Sequence, residues 1–274
     1  MSIFLVDREK CARDRFCAQV CPRGIIEMKT REDFPKPAKN ADELCINCGH
    51  CVSVCPHGAM SLNTMGPEDC PPIQKELILT PEHAEHFLRY RRSIRRYKDT
   101  PLDRDTISKL IRMAAYAPSG HNMQPVKWLV VEKREEVKDL AGIVVQWMRQ
   151  MIHDKPEIAG PMHFDRVIGA WMLGKDAVLR SAPHLIVAHG IKELPAAHVA
   201  SIIALTYLEL AATSLGVGAC WAGYFMACAA NHPPMAEALA LPQDQQVYGA
   251  MMVGRPKYPY QRLPLRNEPS IAWR

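Results

Sequence analysis

CINCGHCVSVCP, residues 45–56, carries four cysteines separated by two, two and three residues and closes on a proline. Thirty-four residues upstream stands CARDRFCAQVCP, residues 11–22. The likeness runs beyond these stretches, over residues 7–28 and 41–62. Glu9 falls on Glu43, Cys11 on Cys45, Cys17 on Cys51, Val20 on Val54, Cys21 and Pro22 on Cys55 and Pro56, and Gly24 on Gly58. This is an internal repeat. One position breaks it: Asp14 stands in the first copy where the second has Cys48.

The second copy is the C-x2-C-x2-C-x3-C-P run of bacterial ferredoxins, in which the fourth cysteine ligates the other cluster. Three thiolates on one tight loop reach three irons of a cube, and the fourth, held by the proline, serves the partner site. One cluster is therefore assigned to Cys45, Cys48, Cys51 and Cys21, and the other to Cys11, Cys17 and Cys55 with Asp14 in the remaining place. A carboxylate is a harder ligand than a thiolate. Three states of that corner stay open: weak binding of the iron, exchange with water in a [4Fe-4S] cluster, or omission of the iron to give [3Fe-4S]. A single zinc held by two C-x2-C units is the alternative, and the extra C-x3-C-P in both copies weighs against it. Cys70 has no counterpart in the repeat and reads as a packed or exposed thiol.

Eight of the ten cysteines lie within the first seventy residues, so the 274-residue chain divides into regions of different chemistry. The reading is a ferredoxin-like domain over 1–66, a linker over 67–79 and a larger domain over 80–274. The opening MSIFLVDREK has only a short apolar run and no basic lead-in, unlike a secretory signal. Cysteines serving as metal ligands in the reducing cytoplasm are the expectation. A net charge of +5 suits nucleic acid, anionic cofactors or acidic partners alike.

In the larger domain, Thr80, Pro81 and Glu82 make a helix start. A second helix is read over Asp105–Tyr116, with Ile107, Leu110, Ile111 and Ala114 on one face and Pro118 beyond its end. VKWLVVEK, HLIVAHG and YGAMMVG read as strands. The most apolar segment, Val199–Met226, contains Glu209, Gly216 and Gly218. It reads as a buried helix over Ala200–Leu215 and not as a membrane span. The class is α+β or α/β.

RYRRSIRRYKDTPLD, residues 89–103, packs basic residues around Ser93; alone it suits a solvated face, nucleic acid or a ligand phosphate. Together with AAYAPSGHNMQPVKWLVV (114–131), SIIALTYLELAATSLGVGACWAGYF (201–225) and MVGRPKYPYQRLPLR (252–266) it resembles the nitroreductase family of flavoproteins. The resemblance covers residues 85–274. It implies an α+β fold with a central mixed or antiparallel sheet flanked by helices, a homodimer, and FMN in a cleft at the dimer interface. By that likeness Arg91 and Ser93 bind the FMN phosphate, and Arg92 and Arg95 reach the ribityl chain and pyrimidine edge. Asn122 of a neighbouring subunit meets the isoalloxazine, and Pro118, Ser119 and Gln124 shape its turn. Cys220, Trp221, Ala222 and Gly223 lie beside the ring and offer a backbone N–H to N5; some relatives have Glu where this chain has Ala222. Arg262 and Arg266 complete the phosphate site. The basic cluster then needs no nucleic acid.

Cys220 and Cys228 read as small hydrophobes. Trp147, Met148, Met151, Met162, Phe164, Trp171 and Met172 fall where the family has variable helices over the substrate pocket, and read mainly as core. Clusters move single electrons and a flavin stores two. The expected function is a reductase in which low-potential electrons, from a donor protein, pass through the clusters and FMN to a small organic acceptor of the nitroaromatic or quinone class. An electron carrier or redox sensor without a dedicated substrate is the alternative.

Overall fold

The computed structural model describes residues 2–274. The chain divides into two compact units, one of Met1–Ile78 with Gly120–Met123, the other of Leu79–Ser119 with Gln124–Arg274.

In the first unit the order is β1 (Phe4–Val6), α1 (Phe16–Val20), β2 (Ile26–Glu27), β3 (Lys36–Pro37), α2 (Ala41–Leu44), α3 (His50–Ser53) and β4 (Met60–Leu62). β1 pairs antiparallel with β4, Phe4 opposite Leu62, and β2 pairs with β3, Ile26 opposite Pro37. The sequence repeat is a backbone repeat. Adding 34 takes Phe16 of α1 to His50 of α3 and Ile26 of β2 to Met60 of β4. The same shift relates the left-handed residues: Arg13 (φ 59°) to Asn47 (φ 51°), Arg15 (φ 69°) to Gly49 (φ 73°), and Gly24 (φ 61°) to Gly58 (φ 56°). The Cys11 N–H donates to the Asp7 carbonyl and the Cys45 N–H to the Ala41 carbonyl, both at 3.0 Å. Phe4, Ile25, Ile26, Met28, Val52, Met60 and Leu62 fill the small core between the copies.

The second unit starts at α4 (Pro81–Tyr90), where the Thr80 hydroxyl accepts the His83 N–H at 3.3 Å. Next come α5 (Arg104–Ala114), β5 (Lys127–Val131), α6 (Arg134–Asp154), α7 (Pro156–Ala159), α8 (Phe164–Met172) and β6 (His184–Ile191). α9 (Pro195–Ser214), β7 (Gly218–Trp221), α10 (Gly223–Asn231), α11 (Pro233–Leu239) and β8 (Gln245–Gly254) complete it. The four strands form one antiparallel sheet in the order β5-β6-β8-β7.

β6 and β8 are central and covered on both faces, which is why they read as continuous apolar runs. Ile186, Ala188, Met251 and Val253 face a core with Leu110 of α5 and Leu205 and Leu208 of α9. Leu185, Val187, Ala250 and Met252 face the other way, against Val144 and Met148 of α6 and Phe225 of α10. Alternation along a strand thus builds an α/β/α layering from one sheet.

α9 starts at Pro195, five residues before the position read from sequence, because a proline takes the first helical position without losing a bond. By length and composition it could cross a bilayer, but half of its most apolar window is buried within the unit. β7 is a strand that no apolar run announces; its four residues pair antiparallel with Gly254–Met251 of β8. Trp147, Met148 and Phe164 are buried, as expected of core, whereas Met162 and Met172 are exposed.

Candidate functional site

Two hollows lie in the first unit. One is lined by Cys11, Asp14, Cys17 and Cys55, the other by Cys21, Cys45, Cys48 and Cys51. These are the two crossed sets assigned from the repeat: Cys21 of the first copy sits in the hollow of the second, and Cys55 does the reverse. Even the apolar walls correspond, Met28 to Leu62, Ala59 to Ile25 and Met60 to Ile26.

Each hollow has one buried thiol, Cys17 or its counterpart Cys51. Burial pushes both thiols up to about 11. A buried thiolate needs a cation beside it, and the iron of a cluster supplies one. The donor sets therefore fit iron–sulfur clusters. Asp14 is half-buried, and its Oδ1 accepts the Phe16 N–H at 3.0 Å, so the carboxylate also orders the entry to α1. Cys70 lines neither hollow and packs against the small core as a half-buried thiol.

Sequence reasoning passed over Arg15. It lines the Asp14 hollow, its Nη2 donates to the Met28 carbonyl at 3.2 Å, and its Nε is buried with no partner among the described residues. The signal was present in the repeat, since Gly49 is its counterpart.

In the second unit the chain after α4 is pinned along β7. Ser93 bridges to Ala219, and the Ile94 N–H donates to the Ala219 carbonyl at 2.9 Å. Gly218 permits this approach: a Cβ there would stand 2.7 Å from Ile94. The buried Tyr97 hydroxyl donates to the Ile94 carbonyl at 2.6 Å and holds the segment from its far side. Arg91, Ser93 and Arg95 are thereby gathered: Arg91 Nη1 lies 3.5 Å from Ser93 Oγ, and Arg95 Nη1 lies 3.5 Å from the Ser93 carbonyl.

Arg91 has a second partner that sequence reasoning did not find. Its Nη1 donates at 2.8 Å to Oε1 of Glu209, on the buried side of α9. The pair spans 118 positions, so no local pattern announces it. It fixes one edge of the guanidinium and leaves its remaining donors for an anion. Arg92 is tied back to the Arg89 carbonyl at 3.0 Å, and its Nε is buried without a partner among the described residues.

Burial pushes the Cys220 thiol up against the pull of Arg95, Arg180 and Arg91, so it stays protonated and behaves as a small hydrophobe. Arg180 is a cation at this site that no motif marked. Cys228 is likewise pushed up by burial, to about 12. Trp221 ends β7, and the Ala222 N–H is taken by the Ala250 carbonyl at 2.9 Å. The donors left for a ring edge are those of the first turn of α10, from Gly223 onward.

The turn after α5 is shaped by Ser119, whose hydroxyl accepts the Gln124 N–H at 2.9 Å. His121, Asn122 and Gln124 have positive φ. Gly120–Met123 belong to the first unit, where Asn122 Nδ2 donates to the Asn47 carbonyl at 2.9 Å and the Ile46 carbonyl at 3.3 Å. That loop joins Cys45 to Cys48, a different partner from the isoalloxazine implied by the resemblance. Pro118 precedes this turn, and Arg262 and Arg266 lie exposed on a terminal stretch without regular secondary structure.

Residues 88–255 match the nitroreductase family, and residues 9–59 match a 4Fe-4S dicluster domain. The chain belongs to the nitroreductase family. An NADH dehydrogenase/NAD(P)H nitroreductase of Archaeoglobus fulgidus is 27% identical over 167 residues, 61% of this chain and 82% of that protein. A nitroreductase of Desulfitobacterium hafniense, solved with bound FMN, superimposes with a TM-score of 0.55 at 21% identity over 69% of this chain and 96% of its own. One from Bacteroides fragilis, also with FMN, gives 0.54 at 21% identity over 69% and 94%. The nitroreductase fold and an oxidoreductase activity follow, with a 4Fe-4S domain joined in front.

Proposed function

We propose that this nitroreductase-family enzyme takes low-potential electrons through two iron–sulfur clusters and delivers them, by way of FMN, to an electron-poor organic acceptor of the nitroaromatic or quinone class. The observation that carries this reading is the pair of hollows, each walled by three ligands of one copy and one of the other, in a chain that continues into a nitroreductase domain. When bound, the clusters pass single electrons and the flavin stores two and hands them on as a hydride.

The chain's own part is binding and electrostatics. Arg91 and Ser93 hold the phosphate, because a forked cation and a hydroxyl match its oxygens. Arg95, with Arg180 near Cys220, favours the anionic reduced ring. Cys220–Gly223 and the start of α10 meet the ring edge. Acceptor protons come from water, since no side chain stands out as a general acid.

Residues 8–39 carry nine Lys and Arg against five Asp and Glu, while residues 40–78 carry one against five. The guanidinium groups of Arg8 and Arg13 both lie over Phe34, 5.2 and 5.3 Å from its centre. This basic end, beside the Asp14 hollow, suits an acidic electron-donor protein. Exposed Leu88 and Tyr90 on α4 and Val199 and Tyr207 on α9 support a homodimer of the larger domain. Unpaired cysteines as metal ligands support a cytoplasmic location.

The test is anaerobic mixing of the holoprotein with a reduced bacterial ferredoxin, following clusters and flavin by absorbance, then adding menadione or p-nitrobenzoate. The clusters are expected to bleach before the flavin, the flavin rate to fall with added salt, and the acceptor to reoxidise both. Flavin reduction by NAD(P)H with clusters that never change would contradict the feed.

A further inference from the structure

The two hollows are copies that differ at consecutive positions. The shift of 34 places Asp14 on Cys48 and Arg15 on Gly49, so the corner that lost a cysteine also gained an arginine. Backbone need does not explain that gain. Arg15 sits at φ 69° and Gly49 at 73°, in the left-handed region that a side chain disfavours and glycine takes without strain. The chain therefore bears a strain that its own second copy avoids.

The side chain also bears an orphaned donor. Arg15 Nη2 is anchored on the Met28 carbonyl at 3.2 Å, and Met28 and Arg15 both wall the hollow with Cys11, Asp14, Cys17 and Cys55. Its Nε is buried and finds no acceptor among the described residues. A buried N–H of a cation left unpaired forfeits its hydration with nothing in return. Both costs are offset if an anionic group in the hollow accepts that N–H. In the other copy a Cβ on Gly49 would stand 2.8 Å from Met65 Sδ, so the Met65 side chain would have to move to admit one.

Resting on the cluster reading above, we infer that Arg15 is a tuning residue specific to the Asp14 cluster, donating to it from Nε and favouring its reduced state. Reduction adds one electron, from the external reductant, and hence one negative charge to the cluster. A fixed cation and a hydrogen bond to a cluster sulfur both stabilise that added charge in a low dielectric. No proton need move. The all-cysteine cluster, with Gly49 at the equivalent place, lacks this contribution.

The experiment is an anaerobic EPR redox titration of the holoprotein and its Arg15→Gly and Arg15→Lys variants, with iron counts and thermal unfolding on the same samples. Cys21→Ala, which leaves only the Asp14 cluster, assigns the signals. Arg15→Gly is expected to make the Asp14 cluster about tenfold harder to reduce at a given ambient potential, about 59 mV for one electron, without moving the other midpoint. Its Tm should not fall, because glycine suits this backbone. Arg15→Lys, which keeps the charge and loses the fork, should fall between. Unchanged midpoints in a fully loaded Arg15→Gly variant, or equal shifts of both clusters, would overturn the inference alone. Wild-type protein without iron would overturn the reading of the hollows and this inference with it.

Discussion

Cys21→Ala should abolish the cluster bound by the loop of the second repeat, and Cys55→Ala should abolish the cluster of the first. The expectation runs against sequence proximity. Cys21 lies 24 residues before Cys45, yet it walls the same hollow as Cys45, Cys48 and Cys51. Each substitution removes one of the ligands of a cube, and the buried thiol left behind, Cys51 or Cys17, then reprotonates. About four iron atoms per chain should go with Cys21→Ala, and about three or four with Cys55→Ala. Because Cys17 and Cys51 are part of the small core, loss of metal should also loosen the first unit. Iron analysis and EPR on both variants check this. Loss of the cluster on the variant's own repeat in each case would show that the ligands are not crossed.

Arg91→Ala should weaken FMN binding by about 10- to 100-fold, the loss of one charge-assisted contact of about 1.5–3 kcal/mol. It should also destabilise the flavin-free protein, because Glu209 is left as a nearly buried carboxylate without its partner at 2.8 Å. Breaking such a pair from one side costs about 3–5 kcal/mol. The two effects separate in the double variant Arg91→Met/Glu209→Leu. Replacing both charges with apolar groups should restore Tm while FMN stays weakly bound. Flavin titration by fluorescence quenching, beside thermal unfolding without FMN, reads both. Wild-type FMN affinity in Arg91→Ala would remove Arg91 from the phosphate site.

Much of this was legible in the sequence, for identifiable reasons. Thr80 and Pro81 mark the start of α4 because capping is a local matter. β5, β6 and β8 appear as apolar runs because central strands are buried on both faces. The repeat reaches furthest: a shift of 34 residues foretold which thiols share a hollow, since two copies with one spacing fold into two copies of one loop.

What stayed hidden depends on distant partners. β7 is four residues of Gly, Ala, Cys and Trp with no alternation, and only β8 makes it a strand. Glu209 looked like an interruption of an apolar helix until Arg91 came beside it. Asn122 follows a flavin-family turn in sequence, and its Nδ2 donates to the distant carbonyls of Ile46 and Asn47. Arg15 lies within residues 11–22, but its left-handed backbone and its buried Nε exist only in the fold.

The most direct test of the central claim is an anaerobic redox titration of freshly purified protein, with iron and FMN counted per chain on the same sample. Two clusters, about seven to eight irons, and one FMN that is reduced after the clusters are expected. The three-iron EPR signal of the oxidised sample then says whether Asp14 keeps its iron. A chain holding zinc in place of iron, or iron without flavin, would contradict an electron feed built from these two units.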